Sequence, residues 1–361
     1  GLARLKRESA PRPAGAAGFA RGMVLATIDG VATSISIPAA LSDKLFNSAA
    51  GTSSEVGVRD TPGGPVRTLT VASATFGASP LVVDRVLSGT NTGYLAYTSF
   101  ATPVGEVQLA DAFKRFAAAG VSELVVDLRY NGGGFIHIAA QLGYLVAGQI
   151  QSSGKVFETL AFNDKRSAEN LNIGFVNTVT GFFGNSARAG EPLSALNLRR
   201  VSVLTSGSTC SASESFISAL RGIDIDVVLV GGTTCGKPYG MIQANNCALA
   251  YFGVEFEGRN NKGIVTPVTG IPATCAATDD FDHALGDPAE RMLAAAISYR
   301  LAGSCPAPTM VAASATPSLL AGSAYTTAAI NAPAQDSNAL NADMEFMTHP
   351  LETVKLYSVT R

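Results

Sequence analysis

Short apolar runs alternating with small-residue turns set the pattern of this chain. GMVLATIDG (Gly22 to Gly30) predicts a strand closed by an Asp-Gly turn. Ala40, Leu41, Leu45 and Phe46 recur at helical spacing within Ile37 to Ala49. VGVRD, a Gly-Gly turn and VRTLTVASATF then predict a hairpin that closes a first small domain over residues 1–78. Further on, GYLAYTSF alternates like a strand. VQLADAFKRFAAAG places Leu109, Phe113 and Phe116 on one side of a helix ended by Gly120. ELVVDLRYNGGG is a buried strand running into glycines, followed by the apolar helical pattern of FIHIAAQLGYLVAG. VSVLTSGS, SASESFISALRG and DIDVVLVGG repeat that sequence of strand, helix and strand. Such alternation predicts an α/β core with a largely parallel sheet over residues 79–305. Functional residues then belong where strands give way to helices.

Residues 151–198, with an Asn/Gly/Ser-rich face, read as an insertion into that core, and Ala284 to Gly303 as its closing helix. Residues 306–361 are rich in Ala, Pro, Ser and Thr and read as an extension. With 361 residues, 47% hydrophobic and 15% charged, the chain is long enough for two or three domains and is not broadly disordered. Its formal charge is 26 − 28 = −2 without a long basic block, so nothing favours nucleic acid or an anionic membrane surface as a partner. No apolar run reaches the roughly 18–20 residues that span a bilayer. The first residue is Gly and no signal-peptide pattern follows, which is expected of a processed chain whose targeting segment or anchor has been removed.

Cys210, Cys235, Cys247, Cys275 and Cys305 fit no metal knuckle. Disulfides would suit an exported, periplasmic protein, and buried free thiols would suit a cytosolic one. Cys235–Cys247 is the pairing expected, because the segment between them reads as a tight hairpin.

The chemistry concentrates in Ser211 and Lys237, 26 positions apart (237 − 211). Each follows an apolar run, Val201 to Leu204 and Val227 to Val230, through a turn of small residues. A serine and a lysine at the ends of neighbouring strands form a nucleophile and its base without histidine. The three histidines, His137, His283 and His349, stand in no triad context, and His137 and His283 read as packing or surface residues. Ser211-Ala-Ser-Glu214 is also a capping box, and that role can coexist with catalysis. Asp127 and Arg129 read as structural. Gly231-x₄-Gly236-Lys237 fits most of a phosphate-binding loop, but Pro238 replaces the magnesium-binding Ser or Thr and no helix follows. Ser152-Ser-Gly-Lys155 matches the SxxK string of penicillin-binding enzymes without its SDN or KTG partners. GxSxG is absent around Ser211.

Taken in order, DLRYNGGG (Asp127 to Gly134), TCSASES (Thr209 to Ser215) and GGTTCGK (Gly231 to Lys237) resemble the signature blocks of the C-terminal-processing, or tail-specific, serine peptidases. GFARGMVLATIDG upstream is similar to the PDZ-like domain that precedes their catalytic core. The resemblance spans about residues 12–305. It implies Ser211 as nucleophile, Lys237 as general base, and an oxyanion hole from the Ala212 amide and that of Gly132 or Gly133. The family's Gln or Glu four residues after the lysine is here Met241, which leaves Gln243, six after, as the candidate third member. It implies no cofactor or metal, and a polypeptide substrate recognised at its C-terminus through the PDZ-like domain. Two other readings stand beside it: a non-catalytic binder of peptides or hydrophobic ligands on the same core, and a hydrolase of non-peptide esters.

Overall fold

The computed structural model describes residues 13–33, 39–46, 48–75, 77, 79–181, 187–246 and 249–306. The extension beyond Pro306 and His349, with Cys247, lie outside the described residues.

The chain opens with α1 (Pro13–Ala16), β1 (Val24–Ile28), β2 (Val31–Ala32), α2 (Ala39–Phe46), β3 (Ser53–Arg59) and β4 (Arg67–Ala72). The Asp-Gly turn forms as its residues dictate: Asp29 and Gly30 both take positive φ, 47° and 78°, as a two-residue hairpin turn requires. The strands order as β2-β1-β3-β4, antiparallel throughout, and close over Phe19, Met23, Leu25, Ile28, Val56 and Val58.

The α/β core predicted from the alternating pattern is present. Its elements are β5 (Leu81–Val86), β6 (Thr92–Tyr97), α3 (Gly105–Ala118), β7 (Glu123–Asp127), α4 (Ile136–Ser152), β8 (Val156–Phe162), β9 (Leu171–Gly174), β10 (Arg200–Thr205), α5 (Ala212–Gly222), β11 (Asp226–Gly231), β12 (Tyr239–Asn246), β13 (Leu249–Arg259), β14 (Cys275–Ala276) and α6 (Arg291–Ala302). Six strands run in the order β14-β11-β10-β7-β6-β5, all parallel except the edge strand β5. One face buries Leu109, Phe113 and Phe116 of α3, Leu142 and Leu145 of α4, and Phe216, Ile217 and Leu220 of α5. The other face carries Met292, Leu293 and Ala296 of α6. No helix among the described residues is long and apolar enough to cross a membrane.

The segment read as an insertion contributes strands instead. β8 and β9 join a third sheet in the order β12-β13-β8-β9. β8 pairs with β13, nearly a hundred residues later, as in Leu160 with Gly258. Its buried positions therefore acquire a partner that local pattern does not show.

Glu158 of β8 is buried beneath α5. Its Oε1 accepts from the Ser215 hydroxyl at 2.9 Å, and its Oε2 has no hydrogen-bond partner. Burial lifts this carboxyl from 4.5 to about 7, against the opposing pull of Ser215. The folded chain thus holds a proton that the unfolded chain releases near 4.5. The sign follows: this contribution to stability is full below 4.5 and is lost as pH rises through about 7. Glu158→Gln should remove that slope and be the more stable form above neutrality, by on the order of 3 kcal/mol. Urea unfolding of both proteins at about pH 5 and pH 8 checks this, and an equal difference at the two values would reject it.

Candidate active site

Three loops leave the carboxyl ends of adjacent parallel strands β7, β10 and β11 and meet. The Thr209 hydroxyl donates to Leu128 O at 2.8 Å, the Cys210 N–H to Asn131 O at 3.2 Å, and the Ser213 hydroxyl to the same oxygen at 3.0 Å. The Cys235 N–H donates to Thr209 O at 3.0 Å, bringing in the loop after β11. Asp127-to-Gly134, Thr209-to-Ser215 and Gly231-to-Lys237 are therefore one constellation.

Ser211 stands at the N-cap of α5, on the sharp turn from strand to helix. Its φ is 56° and its ψ −118°, a strained backbone for a residue with a Cβ. Strained strand-to-helix turns of this kind raise a nucleophilic hydroxyl above its neighbours even without GxSxG. The predicted capping box is formed. Ala212, one residue on, is the first position of the helix, where an N–H has no intrahelical acceptor.

Gly133 packs directly against the serine. A Cβ there would come within 2.8 Å of both Ser211 Cβ and Cys210 O, and within 3.1 Å of Ala212 N. With φ at 109°, only glycine suits the position in space and in conformation. Gly133's own N–H donates to Asn131 Oδ1 at 2.9 Å, while Asn131 Nδ2 donates to Tyr97 O at 3.1 Å. Of the two glycine amides expected to face an oxyanion, Gly132's is the one without an acceptor among the described residues.

Glu214 joins the serine loop to the lysine loop. Its carboxylate is buried, and Oε2 accepts from the Ser211 N–H at 3.0 Å and the Lys237 N–H at 2.9 Å. Oε1 accepts from the Gly236 N–H at 2.8 Å and the Thr234 hydroxyl at 2.5 Å. Three backbone amides and one hydroxyl thus converge on one anion, which fixes where Lys237 leaves the main chain. Glutamine at 214 would present an amide to some of these donors. On the expectation that Lys237 is the general base, Glu214→Gln should lower kcat by about 10²-fold through misplacement of the lysine, with KM little changed. A variant with wild-type kcat would show that Glu214 serves the helix cap alone.

The cysteines correct the expected pairing. Cys235 bonds to Cys210, with Cα atoms 5.2 Å apart, and Cys275 bonds to Cys305. Parallel neighbours β10 and β11 end side by side, and this juxtaposition, not the local hairpin, selects the partner of Cys235. Sulfur and carboxylate atoms of Cys210, Glu214 and Cys235 lie within 4.8 Å of one another, but the two sulfurs are consumed by their mutual bond.

Residues 91–245 match peptidase family S41. That stretch, less than half of the chain, is similar to an S41 peptidase domain. This is the family that the three sequence blocks resemble, and the matched stretch contains Ser211 and Lys237. No curated protein matches the chain. Among solved structures, a candidate S41 protease from Bacteroides fragilis NCTC 9343 superposes with a TM-score of 0.66 at 24% identity, over 82% of this chain and 77% of that one. The photosystem II D1 C-terminal processing protease gives a TM-score of 0.44 at 18% identity, over 76% and 68%.

Within the stretch similar to S41 peptidases, Gln243 lies on β12, where its Nε2 donates to Asn245 Oδ1 at 2.7 Å and its main chain pairs with Phe252. The acid that reaches the lysine loop is Glu214, read from the sequence only as a helix cap. His137 is half-buried, its Nε2 2.8 Å from Thr180 Oγ1, and burial lowers its pKa. His283 pairs with Asp280 at 2.8 Å, which raises its pKa.

Behind the glycine loop lies an ionic lattice. Arg129, fully buried, grips Glu290 with Nη1 at 2.7 Å and Nη2 at 3.0 Å, and Asp127 with Nε at 3.0 Å. Burial alone would favour a neutral guanidinium, but Asp127 and Glu290 outweigh it and keep the group charged. The Tyr94 hydroxyl donates to Asp127 at 2.6 Å, and Glu290 Oε2 accepts the Leu293 N–H at the start of α6. Asp279 bridges Arg129 to Arg21 of the N-terminal segment, at 2.8 and 2.6 Å. Arg21 also donates to the Tyr130 hydroxyl at 2.7 Å. Asp127 and Arg129 are structural, as the sequence predicts, and they set the floor beneath Asn131, Gly132 and Gly133.

Proposed function

We propose that this chain is a serine endopeptidase in which Ser211 and Lys237 form the catalytic dyad. The observation that carries the reading is the convergence of Ser211 and Lys237 through Glu214 and the Cys210–Cys235 bond, with Gly133 packed against the serine, in a stretch similar to S41 peptidases. The Lys237 amine takes the proton as the Ser211 hydroxyl attacks a peptide carbonyl. The amides of Ala212 and Gly132 hold the oxyanion, a site at a helix N-terminus that favours negative charge. The leaving amine receives the proton from Lys237, and water then hydrolyses the acyl-enzyme.

An extended polypeptide is the substrate on this reading. The N-terminal sheet has the place in the chain of a PDZ-like domain, and its edge strand would receive a C-terminus by strand addition. Two disulfides support an oxidising, extracytoplasmic setting. The test is digestion of unfolded casein by the wild-type chain and by Ser211→Ala, with a fluorophosphonate to tag the serine. Equal digestion by both proteins would refute the dyad. Absence of both digestion and tagging in the wild type would instead favour the non-catalytic binder.

A further inference from the structure

We propose that the Cys210–Cys235 disulfide is a reversible covalent strap across the active site, so that reduction by a dithiol uncouples the Ser211 and Lys237 loops and shuts the peptidase down. This rests on the dyad reading for its effect on activity, but not for its effect on the loops. Cys210 is the residue before Ser211, and Cys235 stands two residues before Lys237. The bond therefore ties nucleophile to base at almost the shortest chain distance available. What else joins the two loops is non-covalent: the Cys235 N–H on Thr209 O and the donors gathered by Glu214.

The serine's backbone makes the strap consequential. A non-glycine residue at φ 56° and ψ −118° persists only where its surroundings over-determine it. Cys210 is the flanking residue, anchored by its sulfur on one side and by its N–H to Asn131 O on the other. With the sulfur released, the turn is free to relax toward an unstrained conformation, carrying the hydroxyl away from Lys237. Misplacement on the scale of an ångström is enough to cost about 10²-fold in rate.

Both cysteines are half-buried, within reach of a small dithiol. The exchange balances without a further reactant. One thiolate of the dithiol attacks a sulfur of the bond and displaces the other cysteine as a thiolate, which takes up a proton. Cys210, just ahead of the N-terminus of α5, is the leaving thiolate better placed for stabilisation. The second thiol of the reagent resolves the mixed disulfide. Two electrons and two protons pass to Cys210 and Cys235, and the dithiol becomes a cyclic disulfide. The other bond offers a control within the same molecule: Cys275–Cys305 ties β14, which pairs with Val230 and Gly231 of β11, to the residues after α6, and does not join the Ser211 loop to the Lys237 loop.

The experiment uses the full chain, oxidised or treated with dithiothreitol in the presence of a chelator, with thiol state read by alkylation and mass. Casein digestion and amide hydrogen exchange of residues 231–238 are followed together. Reduction should accelerate exchange at the Gly236 and Lys237 amides and lower kcat by about tenfold or more, reversibly on reoxidation. C210S/C235S should match the reduced protein and ignore dithiol, whereas C275S/C305S should stay active and remain dithiol-sensitive. A fully reduced chain whose kcat stays within about twofold of the oxidised one would overturn the proposal, whatever exchange does. Should the oxidised chain digest nothing, the dyad reading fails, and exchange alone decides the strap: faster exchange upholds it and unchanged exchange removes it.

Discussion

Replacing Ser211 by alanine should lower kcat on unfolded casein by about 10⁶-fold, to the residue of catalysis left by binding and oxyanion stabilisation. Lys237→Ala should cost about 10²–10⁴-fold, because water is left to accept the serine proton. The two losses should not add, since the proposed nucleophile and base would act as a unit. KM should move little in either case, as neither group contributes binding that is uniform between ground state and transition state. Lys237→Ala should unfold near the wild-type temperature, because the Glu214 contact to residue 237 is made by its backbone N–H, and Ser211→Ala should lose no more than the worth of an N-cap side chain, about 0.5–2 kcal/mol. A thermal scan beside the kinetics separates lost chemistry from lost fold. Retention of more than about a hundredth of wild-type kcat in Ser211→Ala would place the nucleophile elsewhere.

Arg129→Met should be the most damaging single change to stability. The methionine fills part of the space but leaves Asp127 and Glu290 facing each other with no cation between them, both deeply buried. Breaking a buried ion pair by removing one partner costs about 3–5 kcal/mol, and here one guanidinium serves two buried acids. A fall in Tm on the order of 10 °C follows for a chain of this size. A thermal scan checks this, and a variant with the wild-type Tm would mean that the lattice is not what Arg129 contributes. Loss of Arg129 also loosens Asp279, and through it the grip of Arg21 that ties the N-terminal segment to the core.

The elements legible in the sequence are those whose partners are near in the chain. Leu109, Phe113 and Phe116 announce α3 because one helix carries its own periodicity, and the runs before Ser206 and Gly231 announce β10 and β11 because both faces of each are buried. The three signature blocks are legible for the same reason: each is a strand end with its own loop. Contacts that only the tertiary fold creates were not legible. β8 shows the mixed burial of a strand paired far away, so residues 156–174 pass for an insertion. β5 is an antiparallel edge, which nothing in LVVDRV distinguishes from a loop-flanked apolar run. Cys210 and Cys235 meet through strand order, a quantity that cysteine spacing does not encode. Glu214 reads as a helix cap because its nearest donor is three residues away, while its other donors come from residues 234–237.

The backbone of Ser211 carries one more consequence, about which amino acid belongs there. Its dihedral angles are those that glycine adopts freely and other residues resist. Judged as a joint between a strand and a helix, position 211 is better occupied by glycine, and a serine there gives up on the order of 1 kcal/mol or more of stability. On the proposed dyad, that cost is offset by what the hydroxyl does. Variation that favoured folding alone would drift this site toward glycine, and would remove the proposed nucleophile before it disturbed the structure.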